Sequence, residues 1–445
     1  MGQTARAKQQ ILALNAFAAD NGAALADDVA ALVARRRQSF GATSVLFYEQ
    51  PLHVVAARGA EIFTADGRAY LDLYNNVPSV GHCHPKVVEA VARQMGRYNT
   101  HTRYLFDEVH DYAERLLAHF PAPLTNVAFT CTGSESNDLA LRLIRGATGG
   151  LGIVVTETAY HGNTTAVTEV SPSSYKSGAP PAHVRTVPPP HSRHYAGDVG
   201  AGFAAAVTAA AQAMAADGIP FAGLLVDTIF SSDGVYADPP GFLAPAFDAV
   251  RALGGMVIAD EVQPGFARTG THMWGFARHG VVPDVVTMGK PMGNGFPMGG
   301  VVTRPELLAR FADAFGYFNT FGGNPVASAA GLAVLDAIAE DGLMEKARTV
   351  GAHIVARLGA ARGRCPALGE VRGAGLYLGV EIVSPGDGAA DPAGATALIN
   401  RLRDKGILIG AAGPLGHVLK VRPPLCLTID QADRFADAME VILSA

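Results

Sequence analysis

The chain lacks the features of a metal-binding, disulfide-stapled or nucleic-acid-binding protein. Its four cysteines in 445 residues are scattered and include no C-x-x-C pair, so neither a disulfide framework nor a zinc knuckle is expected (Cys83, Cys131, Cys365, Cys426). The formal net charge is −5, which gives no reason to expect binding to nucleic acid or to an acidic membrane surface.

Membrane and secretion signals are also missing from the sequence. No apolar run approaches membrane-spanning length, and the N-terminus has no basic-then-apolar layout. Met1-Gly2 opens like a myristoylation site, but Arg6 stands where serine or threonine is needed. We therefore expect a cytoplasmic protein. Hydrophobic residue types make up 49% of the chain, enough for a large core in more than one domain.

What the chain does contain is a lysine and a carboxylate at the ends of strand-like runs. Lys290 follows the apolar run 285–288, and Asp260 closes the run 256–259. A lysine amine can form an imine with the aldehyde of pyridoxal 5'-phosphate, and a carboxylate can keep its pyridine nitrogen protonated. A lone strand-end lysine is more often a solvated loop residue. The pair therefore predicts this cofactor only in combination with a phosphate site.

A candidate phosphate site is present upstream. Residues 127–130 resemble a strand, Gly133-Ser134 forms a turn, and 138–145 has the apolar spacing of a helix with one buried face. A Gly-Ser turn that opens a helix presents free N–H groups and the positive end of the helix dipole to an anion. The alternative is that Ser134 is only an N-cap. Tyr160 follows another apolar run and could cover one face of a pyridine ring.

Taken together, these segments resemble the class-III aminotransferase family of pyridoxal-phosphate enzymes over nearly the whole chain. The matching motifs are Val-Gly-His-Cys-His-Pro at 80–85, Thr-Gly-Ser-Glu-Ser-Asn at 132–137, Tyr-His-Gly at 160–162, Asp-Glu-Val-Gln at 260–263, Gly-Lys-Pro at 289–291 and Asn-Thr-Phe-Gly-Gly-Asn-Pro at 319–325. The His-Cys-His of the first motif looks metal-like, but neighbouring residues point in different directions, and we expect no metal site.

The resemblance implies a role for each matching residue. Lys290 corresponds to the lysine that forms the imine and shuttles the proton, and Asp260 to the partner of the pyridine nitrogen. The remaining cofactor contacts would be a stacking aromatic, a residue against the ring face, a donor to the ring hydroxyl and two phosphate-loop residues (Tyr160, Val262, Gln263, Gly133, Ser134). Thr320 resembles the threonine that reaches the phosphate from a second subunit, which implies a homodimer with shared active sites.

The family implies an α/β fold, fold type I of the pyridoxal-phosphate-dependent transferases. We expect a large domain at 71–330 with a mostly parallel sheet covered by helices, and a small α/β domain built from 1–70 and 331–445. Local patterns predict a helix over 11–37, a hairpin over 60–73, helices over 86–120 with a break near 99–102, and a helix from 325 to 340. The Pro- and His-rich stretch 178–194 is predicted to be a loop with surface histidines.

Within the family, the ethanolamine-phosphate phospho-lyases are the subgroup that the chain resembles most, through residues 74–85 and 99–105. Two further matches, 288–295 and 317–325, are shared with alanine–glyoxylate transaminases. The expected reaction is elimination of phosphate and ammonia from a small primary amine of the O-phosphoethanolamine type. The alternatives are an aminotransferase that uses the same residues and, with little support, a cofactor-bound regulator without turnover.

Departures from the transaminase pattern favour the lyase. Transaminases that act on α-amino acids typically carry Arg-x-Ala-Pro-Pro near the C-terminus, where this chain has Lys420-Val421-Arg422-Pro423-Pro424. Carboxylate recognition is therefore expected to be weakened or moved to Arg422, since lysine is a point charge rather than a planar two-pronged donor. Residues 230–234 also lack the glutamate of ornithine- and GABA-type enzymes. The other candidate cations for a substrate phosphate are Arg103 and Lys176. The alternative for Arg103 is a structural salt bridge, and the alternative for Lys176 is a solvated side chain.

Overall fold

The computed structural model describes residues 15–17, 25–43 and 45–444. The helices are α1 (Asp27–Phe40), α2 (Pro85–Met95), α3 (Asp107–Leu117), α4 (Gly133–Thr148), α5 (Thr165–Glu169), α6 (Val199–Ala216), α7 (Ala244–Ala252), α8 (Gly275–Arg278), α9 (Pro305–Ala314), α10 (Pro325–Glu340), α11 (Leu343–Ala361), α12 (Pro392–Asp404) and α13 (Ile429–Leu443), with short 3-10 turns at Gly41–Thr43 and Pro172–Ser174.

The strands form three sheets. They are β1 (Val54–Arg58), β2 (Glu61–Thr64), β3 (Ala69–Asp72), β4 (Asn126–Thr130), β5 (Gly152–Thr156), β6 (Val184–Val187), β7 (Phe221–Asp227), β8 (Met256–Asp260), β9 (Val285–Met288), β10 (Gly299–Thr303), β11 (Leu368–Ala374), β12 (Tyr377–Ile382), β13 (Ile407–Leu408), β14 (Gly410–Ala412) and β15 (Val418–Val421). The sheet orders are β1-β2-β3-β13, β4-β10-β9-β8-β7-β5-β6 and β11-β12-β15-β14.

The seven-stranded sheet positions the site. Its strands β9, β8, β7, β5 and β6 are mutually parallel, and β10 runs antiparallel to both β9 and β4. The carboxyl ends of β4, β5, β7, β8 and β9 therefore all lie at one edge, where ligands bind in open α/β sheets. Strand β13 pairs in parallel with β3, so a C-terminal strand completes the N-terminal sheet. The exact domain boundaries expected from the sequence stay a prediction.

Apolar faces of the helices cover this sheet. Helix α4 buries Leu139, Leu143 and Ile144 in one hydrophobic cluster with the strand residues Ile153 and Ile258. Helix α10 is buried along most of its length and packs against α2 and α3. Because both α4 and α10 begin directly after loops of the site, their burial fixes the loops that precede them.

Helix α6 corrects the expectation that no apolar run approaches membrane-spanning length. In the part of the chain that the structure describes, it is the one helix that is long and apolar enough to cross a membrane, by length and composition only. One face packs against β5, β6 and β7 through Phe203, Val207 and Met214, as in the core helix of an α/β domain.

Most of the local predictions are confirmed, and two are wrong. The hairpin is β2–β3, the helical break lies between α2 and α3, and α10 has the predicted bounds. The helix predicted over 11–37 begins only at Asp27. Asn15 and Phe17 instead form backbone hydrogen bonds with residues 46–48 as an extended segment. Positions 11–14 and 18–24 lie outside the described residues. The predicted loop 178–194 contains β6, and His183 and His191 are half-buried beside Glu169 and Glu370 rather than solvated.

Candidate active site

The loops at the carboxyl edge of the large sheet enclose a cavity of about 300 Å³. This lies at the lower end of the range for small-ligand pockets, roughly 300–1,000 Å³. Residues from five strand ends line the cavity, among them Gly133, Ser134, Tyr160, His161, Asp227, Asp260, Val262, Gln263 and Lys290. The structure thus brings together seven of the residues singled out from the sequence.

Asp260 ends β8 and is buried, with 5% of its surface exposed. Its Oδ2 accepts hydrogen bonds from Asn137 Nδ2 at 3.0 Å and from His161 Nδ1 at 2.7 Å, and its Oδ1 accepts one from the Val262 amide at 3.0 Å. A carboxylate oxygen has room for more than one donor, so Oδ1 can also take the N–H of a pyridinium. This geometry fits the role expected for Asp260.

Lys290 follows β9 after a single glycine. Burial lowers the pKa of its ammonium, and the positive charge of Arg422 acts in the same direction. A lowered pKa raises the fraction of neutral amine, which is the form that attacks an aldehyde. Close packing places the lysine, because a Cβ on the preceding Gly289 would lie 3.0 Å from the backbone of Gly133.

The start of α4 forms a cradle for an anion. Thr132 is the N-cap, its side chain accepting from the Glu135 amide at 3.1 Å, so the alternative that made Ser134 the cap is wrong. The Ser134 hydroxyl instead accepts from the Asn163 amide at 3.2 Å. A Cβ on Gly133 would lie 2.8 Å from the Val262 side chain, which explains glycine at this position. The amides of Gly133 and Ser134, which precede the capped Glu135 amide, remain available to a phosphate.

Gln263 occupies the end of the cavity opposite this cradle. Its Oε1 accepts from Tyr377 Oη at 2.8 Å, from Arg422 Nη1 at 2.7 Å and from Asn76 Nδ2 at 3.3 Å. Its Nε2 donates to Ser231 Oγ at 2.7 Å. One N–H of the Gln263 amide is left for a cofactor hydroxyl, so its expected role is sterically and chemically possible.

Arg422 is a buried cation whose hydrogen-bond partners carry no charge. Its guanidinium lies 4.4 Å from the centre of the Tyr74 ring, and Nη1 also contacts Asn76 Oδ1 at 3.3 Å. Its Nε is buried without a hydrogen-bond partner. No carboxylate lies within 4.0 Å of this guanidinium in the described part of the chain. Buried polar groups normally have partners, so the Nε–H of Arg422, which has none among the described residues, is available to a ligand.

Lys420 points toward the same region from the C-terminal sheet. It lies on β15 between Gly410 and Gly379, its register partners on the two neighbouring strands. A Cβ on Gly410 would lie 2.4 Å from the Tyr74 ring, and one on Gly379 would lie 2.9 Å from the Gly234 carbonyl oxygen. The two glycines thus let the Tyr74 ring and the Gly234 carbonyl pack closely against the strands on either side of Lys420, which is 5% exposed. Burial, then the Arg422 charge, lowers the pKa of Lys420 well below its ordinary value.

Three candidate residues lie outside the cavity of this chain. Lys176 is exposed, and Arg103 is exposed with its guanidinium 3.9 Å from the centre of the Phe318 ring. Thr320 is exposed on the loop before α10. The substrate role expected for Arg103 and Lys176 stays a prediction.

The rings of His82 and His84 contact Asp72 and Asp341 respectively, two different carboxylates.

Sequence reasoning missed several residues of the site. Asp227 ends β7 and pairs in register with Asp260, a signal readable as a second apolar run closed by a carboxylate. Burial raises its pKa to about 6, and the charge of Asp260 also raises it. His161 belongs to the Tyr-His-Gly motif at 160–162, but sequence reasoning assigned no role to it. Tyr377 and Ser231 had no signal in the sequence, because their contacts to Gln263 depend on tertiary packing.

Comparison with known proteins decides the family. The model of the class-III aminotransferases matches residues 47–443. The chain belongs to this family. A phospholyase from Arthrobacter, solved in complex with phosphoethanolamine, is 43% identical and superposes with a TM-score of 0.90, covering 93% of this chain and 99% of that one.

Curated class-III relatives include both reaction types. A Drosophila melanogaster protein named alanine–glyoxylate aminotransferase 2-like is 39% identical, covering 92% of this chain and 86% of the relative. The ethanolamine-phosphate phospho-lyase homolog 1 of Caenorhabditis elegans is 34% identical and covers 93% of both chains. The fold is therefore the type I fold of pyridoxal-phosphate enzymes, and the chain is an enzyme of this class.

Class-III aminotransferases use pyridoxal 5'-phosphate, and the cavity fits it. Lys290 would hold the aldehyde carbon, Asp260 the pyridine nitrogen, and Gly133 and Ser134 the phosphate, with Tyr160 and Val262 on the ring faces. When bound, the cofactor supplies a conjugated cation that accepts electrons from the substrate carbon.

Proposed function

We propose that this class-III enzyme eliminates phosphate and ammonia from a small phosphorylated primary amine of the O-phosphoethanolamine type. The observation that supports it most strongly is a pair of buried basic residues beside the cavity: Arg422, which donates to the lining residue Gln263, and Lys420, whose charge interacts with those of Arg422 and Lys290. Neither has a carboxylate within 4.0 Å in the part of the chain that the structure describes. Burying a charge is costly without a partner, so the pair favours an anionic substrate.

The charge of a phosphate matches this pair better than that of a carboxylate. A dianion can accept hydrogen bonds from Arg422 Nε and from Lys420 together. Its negative charge would also favour the protonated form of Lys420. Residues 230–234 lack the glutamate that GABA- and ornithine-type transaminases carry in this stretch, so that glutamate is not present to neutralise Arg422. The phospholyase solved with phosphoethanolamine is 43% identical to this chain, compared with 39% and 34% for the two curated relatives described above.

With the cofactor bound as electron acceptor, the residues of the chain supply the other groups that the elimination needs. Lys290 Nζ accepts the proton from the carbon bonded to the substrate nitrogen, and Asp260 keeps the pyridine nitrogen protonated. Phosphate then leaves from the neighbouring carbon with the electrons of the C–O bond, held by Arg422 and Lys420. With O-phosphoethanolamine and one water, the products are acetaldehyde, ammonia and phosphate.

Substitution of the two cations tests the proposal. Arg422→Gln and Lys420→Met should each raise the Michaelis constant for O-phosphoethanolamine by about ten- to a hundredfold, the cost of a charged hydrogen bond. Binding of propylamine, which has no anionic end, should change little. Lys405→Met, at an exposed position with no assigned role, is the matched control and is expected to behave like the parent. Equal losses with both amines would remove the cation pair from phosphate recognition.

The second candidate function is transamination, the activity in the name of the Drosophila melanogaster relative. A transaminase would use Arg422 for the carboxylate of an amino acid. It would require an α-keto acid for every turnover, whereas the lyase would not. Omission of the keto acid therefore separates the two reactions.

We further propose that the enzyme is a homodimer with shared active sites. Apolar side chains of two adjoining loops are exposed, namely Tyr104 (65%), Leu105 (89%), Phe318 (45%) and Phe321 (69%). The loops contact each other through His101 and Phe318, whose rings lie 6.0 Å apart. Contiguous exposed apolar surface is typical of an interface. Thr320 lies on this surface and would reach the cofactor phosphate of a second copy. The cytoplasmic location stays a prediction.

A further inference from the structure

The Gln263 side chain is a branching point in a directed chain of hydrogen bonds. An arginine can only donate, so the atom that faces Arg422 Nη1 at 2.7 Å must be the Gln263 oxygen. The Tyr377 hydroxyl donates to the same oxygen at 2.8 Å. On the other side, Gln263 Nε2 donates to Ser231 Oγ at 2.7 Å, and Ser231 donates to Asp227.

This chain of hydrogen bonds connects the buried Arg422 to Asp227, which lines the cavity, without direct contact between them. Arg422 lies at one end and Asp227 at the other, with Gln263 and Ser231 between them. A direct salt bridge would occupy the guanidinium with a carboxylate. The neutral bridge uses Nη1 and leaves Arg422 Nε without a partner. Hydrogen bonds that run in one direction polarise one another, so a change at one member affects the others.

Tyr377 is held rigidly for its part in the chain. Its side chain is fully buried, and it follows the tight turn that joins β11 to β12. The turn is fixed to the segment after Gln263, because the Leu376 amide donates to the Arg268 carbonyl at 3.1 Å and Arg268 Nη1 donates to the Leu376 carbonyl at 3.3 Å. A Cβ on Gly375 would lie 2.5 Å from the Arg268 carbonyl oxygen. The hydroxyl therefore approaches Gln263 from a fixed direction.

We propose that Tyr377 is a positioning residue for recognition of the substrate's anionic end. Its hydroxyl holds the Gln263 oxygen in place, and through that oxygen it holds Arg422 with an unpaired Nε–H for a phosphate. The inference rests on the proposed function, since it assigns Arg422 to the anion. It adds a determinant from outside the motifs that identify the family.

The test is Tyr377→Phe in the cofactor-loaded full-length enzyme, a change that removes one hydroxyl and keeps the ring. The probe is 3-aminopropylphosphonate, in which a methylene replaces the leaving oxygen so that no elimination follows. Its dissociation constant, measured by calorimetry and by the cofactor absorbance, should rise about three- to tenfold, as for loss of one neutral hydrogen bond. The Michaelis constant for O-phosphoethanolamine should rise similarly, with kcat close to that of the parent and propylamine binding unchanged.

Tyr112→Phe is the matched control. Tyr112 is equally buried, but its hydroxyl has no hydrogen-bond partner, so its removal should leave phosphonate binding unchanged. Ser231→Ala acts on the other side of the Gln263 amide and should weaken phosphonate binding in the same direction as Tyr377→Phe.

Two outcomes would overturn the inference. One is unchanged phosphonate affinity in Tyr377→Phe, whatever the effect of Ser231→Ala; the other is an equal loss for phosphonate and propylamine, which indicates general damage to the site. Failure of the proposed function looks different, because Arg422→Gln would then leave phosphonate binding unchanged. If Arg422→Gln weakens binding while Tyr377→Phe does not, the function stands and the role of Tyr377 is refuted.

Discussion

At the scale of single residues, the reactivity of the site depends on how each ionisable group is buried. Lys290, Lys420 and Arg422 are close enough for their charges to interact, and burial adds to the cost of each charge. The two lysines respond with lowered pKa values, whereas Arg422 remains charged. A Lys290 with a lowered pKa next to a permanent cation places a nucleophile beside an anion site.

The pH dependence of cofactor capture by the apoprotein tests this coupling. The rate should follow the neutral fraction of Lys290, with a midpoint below the 10.5 of an ordinary lysine. Because the Arg422 charge lowers that pKa, Arg422→Gln should move the midpoint to higher pH. Arg348→Gln, on an exposed helix surface, is the control and should not move it. A midpoint at or above that of free lysine would contradict the account of Lys290.

Asp260→Asn tests the carboxylate that faces the pyridine nitrogen. The amide keeps the size of the side chain, so the cofactor should still bind to Lys290. Turnover should fall on the order of a hundred- to a thousandfold, as when a charge-stabilising group is removed from an active site. Stopped-flow rates and borohydride fixation of the lysine–cofactor adduct measure the two effects separately. Unchanged turnover would exclude Asp260 from the assigned role.

At the scale of elements, one edge of the large sheet carries five loops, and the C-terminal sheet holds one of them in place. Arg372 on β11 donates to the carbonyls of Gly234 and Val235 in the loop after β7, the loop that contains Ser231. Glu381 on β12 accepts from Arg372 at 2.8 Å and from Arg193 at 2.7 Å. The ion cluster thus fixes an active-site loop from outside the cavity.

Glu381→Gln should weaken the ion cluster that joins the C-terminal sheet to the loop after β7 and so destabilise the fold. Burial alone would raise the pKa of Glu381, but hydrogen bonds from Arg193 and Arg372 outweigh it and hold the pKa at about 2. The folded-state pKa is thus below the unfolded value, so the stabilisation is present above pH 4.5 and lost as pH falls toward 2. Near neutral pH the free energy of unfolding should drop by about 3 kcal/mol, measured by urea titration.

The control for this prediction is Glu345→Gln. Glu345 forms an exposed ion pair with Arg348, and such pairs contribute little to stability. The difference between Glu381→Gln and the parent should shrink between pH 4.5 and 2. A difference that is independent of pH over this window would mean that the charge of Glu381 is not the cause.

Elements with strong local patterns could be predicted from the sequence, and those defined by long-range pairing could not. Strand β8 is an apolar run closed by Asp260, β9 is an apolar run that Lys290 follows after one glycine, and Gly133 opens a helix with a clear apolar face. Strand β6 lies in a Pro- and His-rich stretch and is set by pairing with β5. The reversed direction of β10 and the pairing of β13 with β3 also depend on distant segments. Contacts such as Tyr377 to Gln263 join residues 114 positions apart.

At the scale of the whole molecule, the proposed dimer determines whether a single chain holds a complete site. Thr320 lies outside the cavity of its own chain, on the exposed aromatic surface of the two adjoining loops. Mixed dimers of Lys290→Ala and Thr320→Ala subunits test the sharing. If Thr320 acts across the interface, one site of each hybrid carries neither lesion, and the mixture should be more active than either parent variant. Activity no higher than the parents would place Thr320 in its own subunit's site or in none.

The central claim is that the enzyme releases phosphate from a phosphorylated amine without an amino acceptor. The most direct measurement is incubation of the cofactor-loaded enzyme with O-phosphoethanolamine and no keto acid, with phosphate, ammonia and acetaldehyde followed over many turnovers. The account predicts that the three products appear in equal amounts and that added keto acid does not increase the rate. The absence of phosphate release, together with turnover of alanine that requires an α-keto acid, would contradict it and identify an aminotransferase.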